Sequence, residues 1–232
     1  MALIVRIDVD RPYGKTPFLR HVFSRLGSDL YFPKLESFGY LAELKTILEI
    51  LNEKKARAHV FFRRCTLPSP AILELMDAGG HEFGLHLEDS RSFESFCNEK
   101  SILERHIGRP VLSVSKHGSG KHKYGFHHYA PYEPENYVEW ARQSGMRLFL
   151  GNLEDPTIPP LAAEPGVRVY PSAFWLEPAW RDMRRFTVKW LHAEANKSDI
   201  VLLMHADNVL ADPSLVADLK GLLSALDTKL LQ

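Results

Sequence analysis

Two carboxylates spaced two apart, Asp8 and Asp10, close the first apolar run of the chain, Leu3-Ile4-Val5-Arg6-Ile7. If that run is a strand, residues i and i+2 share a face, and both acids project together from its C-terminal end. Adjacent carboxylates repel, and burying them is costly unless a proton or a cation compensates. A metal ion is the obvious compensator, and the sequence holds further groups that suit one. His86, His117 and His205, three of its 11 histidines, each follow a short apolar segment, as does Arg63. One Asp with two neutral His suits zinc, or alternatively cobalt, nickel or manganese, and leaves positions for water and substrate. The other Asp is then available as general base and a further His as general acid.

The elements that must carry these residues alternate. Pro12 stops the first strand where the acids begin. Helical spacing of apolar residues over 38–55 is followed by a strand over 57–62 and a helix over 71–78, closed by Gly79-Gly80. Then come a strand over 81–86, a helix over 93–107, a strand over 111–115, a helix over 134–143 and strands over 146–150 and 167–170. A helix over 178–194, a strand over 200–204 and a helix over 213–226, started by Asp212, complete the series. Residues 11–37 and 118–133 read as long loops of the lid or binding type. Buried-type strands alternating with helices predict an α/β fold with a parallel sheet, either a barrel or a doubly wound sheet. In both, the C-terminal strand ends form one rim, and Asp8, Asp10, Arg63, His86, His117 and His205 all fall there.

Composition sets bounds. Of 232 residues, 45% are hydrophobic and 25% charged, as in an ordinary globular protein, and no domain-sized linker interrupts them, so one domain over 1–232 is expected. Lys plus Arg equals Asp plus Glu at 29 each, so no global field favours nucleic acid or an acidic membrane. Cys65 and Cys97 lack metal-type spacing and read as reduced thiols. No run approaches the ~20 apolar residues of a membrane span, and the first apolar run is itself a strand, so a cytoplasmic protein is expected.

In order and context these residues resemble the polysaccharide deacetylase family, the carbohydrate esterases that include nodulation-type chitooligosaccharide deacetylases. Its first motif, a strand ending in two Asp, looks like Ile7-Asp8-Val9-Asp10, with one residue inserted between the acids. Its Gly-His-Glu-x-Gly-x-His run is matched by Gly80-His81-Glu82-Phe83-Gly84-Leu85-His86, the most specific of the motifs. Gly108-Arg109-Pro110 and the strand to Ser115-Lys116-His117-Gly118 are similar to the third motif, and Val201-Leu202-Leu203-Met204-His205 to the last. The resemblance covers essentially the whole chain. It implies a single distorted (β/α)7 barrel and a divalent metal used to remove N- or O-acetyl groups from a sugar, here an acetylated sugar or glycan precursor.

Two departures bear on the site. The family's second metal His, four residues after the first, is Ser90 here, and its Arg-x-Pro-Tyr is replaced by Lys116-His117-Gly118. The missing ligand is expected from His117, with Glu88 or Asp89 as alternatives. The resemblance then implies metal on Asp10, His86 and His117, Asp8 as base and His205 as acid, although the inserted Val9 leaves the roles of Asp8 and Asp10 open to exchange. His81 is expected to support the strand turn. Arg63 and Arg64 are candidates for binding an anionic sugar or phosphate, with a surface salt bridge as the alternative. Trp175 is a candidate aromatic wall and Asp207 a group that orients a catalytic residue, whereas Trp180 and Trp190 read as packing. Two competing readings are a catalytically degenerate sugar- or metal-binding barrel and an Asp-x-Asp phosphohydrolase, though Arg11-Pro12 does not suit the latter.

Overall fold

The computed structural model describes residues 2–14, 18–31, 34–164 and 166–231. Strand β1 (Leu3–Val9) is buried along its whole length, as an apolar run between two layers requires. Its odd residues Leu3, Val5, Ile7 and Val9 join an outer core, against helix α2 (Ala42–Glu53) with Leu44, Ile47, Leu48 and Leu51. Ile4 faces the other way, into an inner cluster with Phe61, Leu148, Leu150, Val201 and Leu203. The inner face of β1 therefore runs Ile4, Arg6, Asp8, and the acids inherit that direction from the strand period.

The other strands repeat the arrangement: β2 (Ala58–Phe62), β3 (Glu82–Leu87), β4 (Ser113–Lys116), β5 (Leu148–Leu153), β6 (Leu161–Glu164), β7 (Val167–Ser172), β8 (Phe174–Trp175) and β9 (Ile200–His205). They form one sheet of order β6-β7-β5-β4-β3-β2-β1-β9-β8, in which only β6 is antiparallel to its neighbour. A single residue, Ala173, separates β7, paired with β5, from β8, paired with β9. The segment 167–175 thus touches both ends of the circle, giving eight parallel strands in a nearly closed barrel. This is the distorted barrel that the family resemblance implied, and it decides against the doubly wound sheet. Helices α3 (Pro70–Gly79), α4 (Phe93–Ile107), α5 (Pro134–Gln143), α6 (Val188–Ala195), α7 (Ala206–Leu210) and α8 (Pro213–Ala225) accompany the strands. Asp212 caps α8 as expected, accepting the Ser214 N–H. Leu231 joins the inner cluster at the floor and donates its N–H to His59 Nε2.

Two expectations change. The segment 11–37 is not all loop, because Phe18–Leu30 forms helix α1. Its polarity is inverted: Ser24, Gly27 and Ser28 are buried, while Phe18 and Leu19 are exposed. Gly27 allows the approach, since a Cβ there would meet Pro12 Cγ at 2.8 Å. The helix expected over 178–194 is confined to Val188–Ala195, started by Thr187, whose hydroxyl accepts the Trp190 N–H. Upstream, Arg181 is drawn into the strand layer, donating to the Trp175 and Leu176 carbonyls.

Gly84 in the second motif is required by space. A Cβ there would lie 2.4 Å from the Phe61 ring and 2.8 Å from Ser113 Oγ, both inside the barrel. Gly84→Ala is therefore expected to destabilise the protein by about 1–3 kcal/mol, read as a lower midpoint in urea unfolding.

Candidate metal centre

The parallel register brings distant residues to one rim. Asp8 lies opposite Phe61 and His205, and His86 opposite Ser115, so the ends of β1, β3, β4 and β9 stand together. Just beyond them, Asp10 Oδ1 is 3.1 Å from His86 Nε2 and 2.9 Å from His117 Nδ1, and those two nitrogens are 3.3 Å apart. Zinc–nitrogen bonds of about 2.0–2.1 Å at tetrahedral angles put ligand atoms roughly 3.3 Å apart, so this spacing fits one divalent cation. Among the described residues these are the three His, Cys, Asp or Glu side chains grouped closely enough to hold an ion.

The protonation states agree with that fit. Burial opposes charge on Asp10, but the His117 and His205 imidazoles and the hydrogen bonds from His117 and His86 hold its carboxyl well below the usual range. Burial and the Arg63 guanidinium push His117 well below the usual imidazole range, against the pull of Asp10, and a neutral ring is what a ligand must be. His86 Nδ1 is 2.7 Å from Ser115 Oγ. With a cation in place of the Nε2 hydrogen bond to Asp10, a proton donated to Ser115 would leave Nε2 with its lone pair toward the centre. His117 Nε2 is buried with no hydrogen-bond partner among the described residues.

Of the groups weighed against Ser90, His117 alone contributes to the cluster. Glu88 is buried and ion-paired with Arg63, which also donates to the Asp10 carbonyl. Asp89 pairs with Arg91 at 2.7 Å, and the Ser90 hydroxyl is 3.3 Å from the Tyr137 hydroxyl. Arg63 thus braces the centre from beneath. Arg64 is outside the cavity, exposed, with its guanidinium 4.1 Å from the Tyr31 ring centroid.

His205 stands across from the two metal-type histidines, its Nε2 3.6 Å from Asp10 Oδ2. Its Nδ1 is 2.8 Å from Glu177 Oε1, which also accepts the His205 backbone N–H. Burial disfavours the imidazolium, yet the Asp10 and Glu177 carboxylates outweigh it and raise His205 to about 10. Asp207 does not take the orienting place beside His205; it pairs with Arg11 at 2.7 Å. At the start of a helix its side chain turns from the strand end, and Glu177, from the turn after β8, reaches the ring instead.

Asp8 is occupied. Arg6 Nε and an Nη donate to its two oxygens at 2.8 and 2.6 Å, while the remaining Nη hydrogens go to the Leu150 and Gly151 carbonyls and to Asn152 Oδ1. All five donors of this fully buried guanidinium are used, spanning the barrel from β1 to β5. A second buried cation, Lys116, binds the carbonyls of Glu88, His117 and Tyr129 and ties together the loops after β3 and β4. His81, at the opposite end of β3, accepts the Ala58 N–H and bonds to Asn52, a supporting position.

Above the centre opens a cavity of about 210 Å³. Trp175 and Trp180 form one wall, their rings 5.9 Å apart, with Trp175 5.8 Å from the His205 ring. Trp180 therefore borders the cavity, where the sequence suggested packing, whereas Trp190 does pack, stacked on Phe174.

The eight-stranded barrel with this rim has counterparts of known structure. Across 96% of the chain it matches a probable polysaccharide deacetylase from Pseudomonas aeruginosa PAO1, with TM-score 0.56, 14% identity and 83% of that chain covered. The fold is that of the polysaccharide deacetylases. An allantoinase, Puue, shares it over 95% of this chain and 82% of its own, with TM-score 0.58 and 15% identity. So does a pseudoenzyme of carbohydrate esterase family 4 from Bacillus anthracis, over 98% of this chain and 62% of its own, with TM-score 0.50 and 12% identity. No protein-family model and no curated protein matches the sequence. The polysaccharide deacetylase likeness is thus carried by backbone, and chemistry has to be argued from the side chains. No helix among the described residues is long and apolar enough to cross a membrane.

Proposed function

We propose that the protein is a metal-dependent hydrolase that removes an acetyl group, N- or O-linked, from a sugar. The observation that carries this reading is the convergence of Asp10, His86 and His117 within ligand spacing of one another, with the His205–Glu177 pair on the other side of Asp10. A divalent cation on those three residues, zinc by its ligand preference, would supply a Lewis acid for the acetyl carbonyl. The remaining roles belong to the chain. Asp8, oriented by Arg6, takes a proton from the attacking water. His205 delivers a proton to the departing amine or alkoxide as the acyl bond breaks, so that acetate and the free sugar leave. Trp175 and Trp180 supply apolar faces for a sugar ring, a type of contact that costs little ordering entropy.

An Asp-x-Asp phosphohydrolase has no use for His86, His117 and His205 gathered around Asp10, which the deacetylase reading employs. The decisive experiment is acetate release from acetylated amino sugars and O-acetylated sugars, before and after chelation and zinc replacement. Release that disappears with the metal and returns with it is expected, and its absence with every substrate despite tight zinc binding would leave a degenerate barrel instead. The same assay tests the acid. Glu177, bonded to His205 Nδ1, favours the protonated ring independently of Asp10, so activity is expected to fall as pH rises through the His205 value. Glu177→Gln removes that carboxylate, and the alkaline limb of the kcat/KM profile is expected to move down by about 1–3 pH units. An unmoved limb would take the acid role away from His205.

A further inference from the structure

One wall of the cavity is helix α1, whose His21, Ser24, Arg25 and Ser28 recur at helical spacing and all border it. Ser24 is used by the fold, accepting the Tyr13 N–H and donating to the Gly14 carbonyl. Arg25, which is exposed, has no such use: it makes no hydrogen bond or ion pair with any described residue. Every other fixed charge bordering the cavity has an opposite charge against it. Asp8 has Arg6, Arg11 has Asp207, Arg63 has Glu88, and His205 has Glu177 and Asp10.

A lone arginine on a helix surface ordinarily serves solubility. Arg25 is itself exposed and lies on the same side of α1 as Phe18 (77% exposed), seven residues earlier, but unlike Phe18 it borders the cavity, at its mouth. A divalent cation held by Asp10 would outweigh that single carboxylate and, with Arg25, leave the cavity net positive.

We propose that Arg25, with His21 one turn before it, binds an anionic group, a carboxylate or a phosphate, carried by the acetylated sugar, and so selects charged over neutral substrates. This rests on the deacetylase reading for the acetyl group but not for the anion. The guanidinium fork matches either oxyanion with two parallel N–H donors, which a lysine ammonium does not.

Binding rather than turnover tests it. The zinc-loaded protein is titrated, with NMR detection, with glucuronic acid, glucose 1-phosphate and uncharged glucose, none of which carries an acetyl group to be removed. At least one of the two anions is expected to bind about tenfold more tightly than glucose at low salt, and which one it is separates a sugar acid from a sugar phosphate. Arg25→Met is expected to reduce that preference to about twofold or less, and Arg25→Lys to retain part of it. No preference in the native protein, or a preference that survives Arg25→Met and so belongs to the metal, overturns the proposal. An Arg25-dependent preference in a protein that releases no acetate would sink the deacetylase reading and leave the anion site standing.

Discussion

His117→Ala is expected to weaken zinc binding by more than about 100-fold, beyond the roughly 10–100-fold typical of losing a group that only orients a ligand. His117 supplies one of the three donor atoms of the centre, 2.9 Å from Asp10 Oδ1 and 3.3 Å from His86 Nε2. Glu88 cannot move in, because it is buried and ion-paired with Arg63, and Asp89 is paired with Arg91. Adding Ser90→His to His117→Ala restores nothing on this view, since Ser90 is buried against Tyr137 rather than at the centre. Isothermal titration with zinc reads both variants. Retained affinity in His117→Ala, or rescue by Ser90→His, would show that the cation sits where the resemblance alone would have put it.

Arg6→Met is expected to destabilise the protein by about 3–5 kcal/mol, because it leaves the Asp8 carboxylate buried without its counter-charge. For a chain of this size that corresponds to a fall in Tm of roughly 6–20 °C. The loss reaches further than one ion pair. The same guanidinium satisfies two carbonyls of β5 and the Asn152 amide oxygen, and the Asn152 Nδ2 in turn binds the carbonyls of Lys116 and Gly118 on either side of His117. Arg6→Lys keeps a charge but has three donors in place of five, so it is expected to recover part of the stability. Calorimetry decides: a methionine variant within about 1 kcal/mol of the native protein would mean that the polar layer above Phe61 is not held by Arg6.

Both predictions concern the join between motifs that are separately visible and contacts that are not. Asp8 and Asp10 share a face because a strand has period two, and the apolar run before them is a strand because it is short, β-branched and bounded by Pro12. Those are local facts. The helices over 93–107 and 134–143 and the cap at Asp212 were legible for the same reason. Helix α1 was not, since its buried side is Ser24, Gly27 and Ser28. Close backbone approach at Gly27, with Phe23 set against Tyr13 and Phe38, packs it, and so sparse an apolar pattern does not announce a helix. Trp180 failed likewise: its spacing from Trp190 suits a helix, but Arg181 bonds the backbone after β8 and the helix begins later.

From the sequence alone, then, a parallel α/β fold could be inferred, along with the rim on which acids and histidines gather, because strand period and alternation with helices are properties of short stretches; the choice of a barrel over a doubly wound sheet came from the family resemblance. Only the tertiary structure decided which side chains face each other there: Arg6 rather than solvent against Asp8, Glu177 rather than Asp207 behind His205, and Lys116 beneath the loops. Those pairings depend on register and on how the segment 167–175 closes the circle, and they put charges from distant strands a hydrogen bond apart, where no spacing along the chain could announce them.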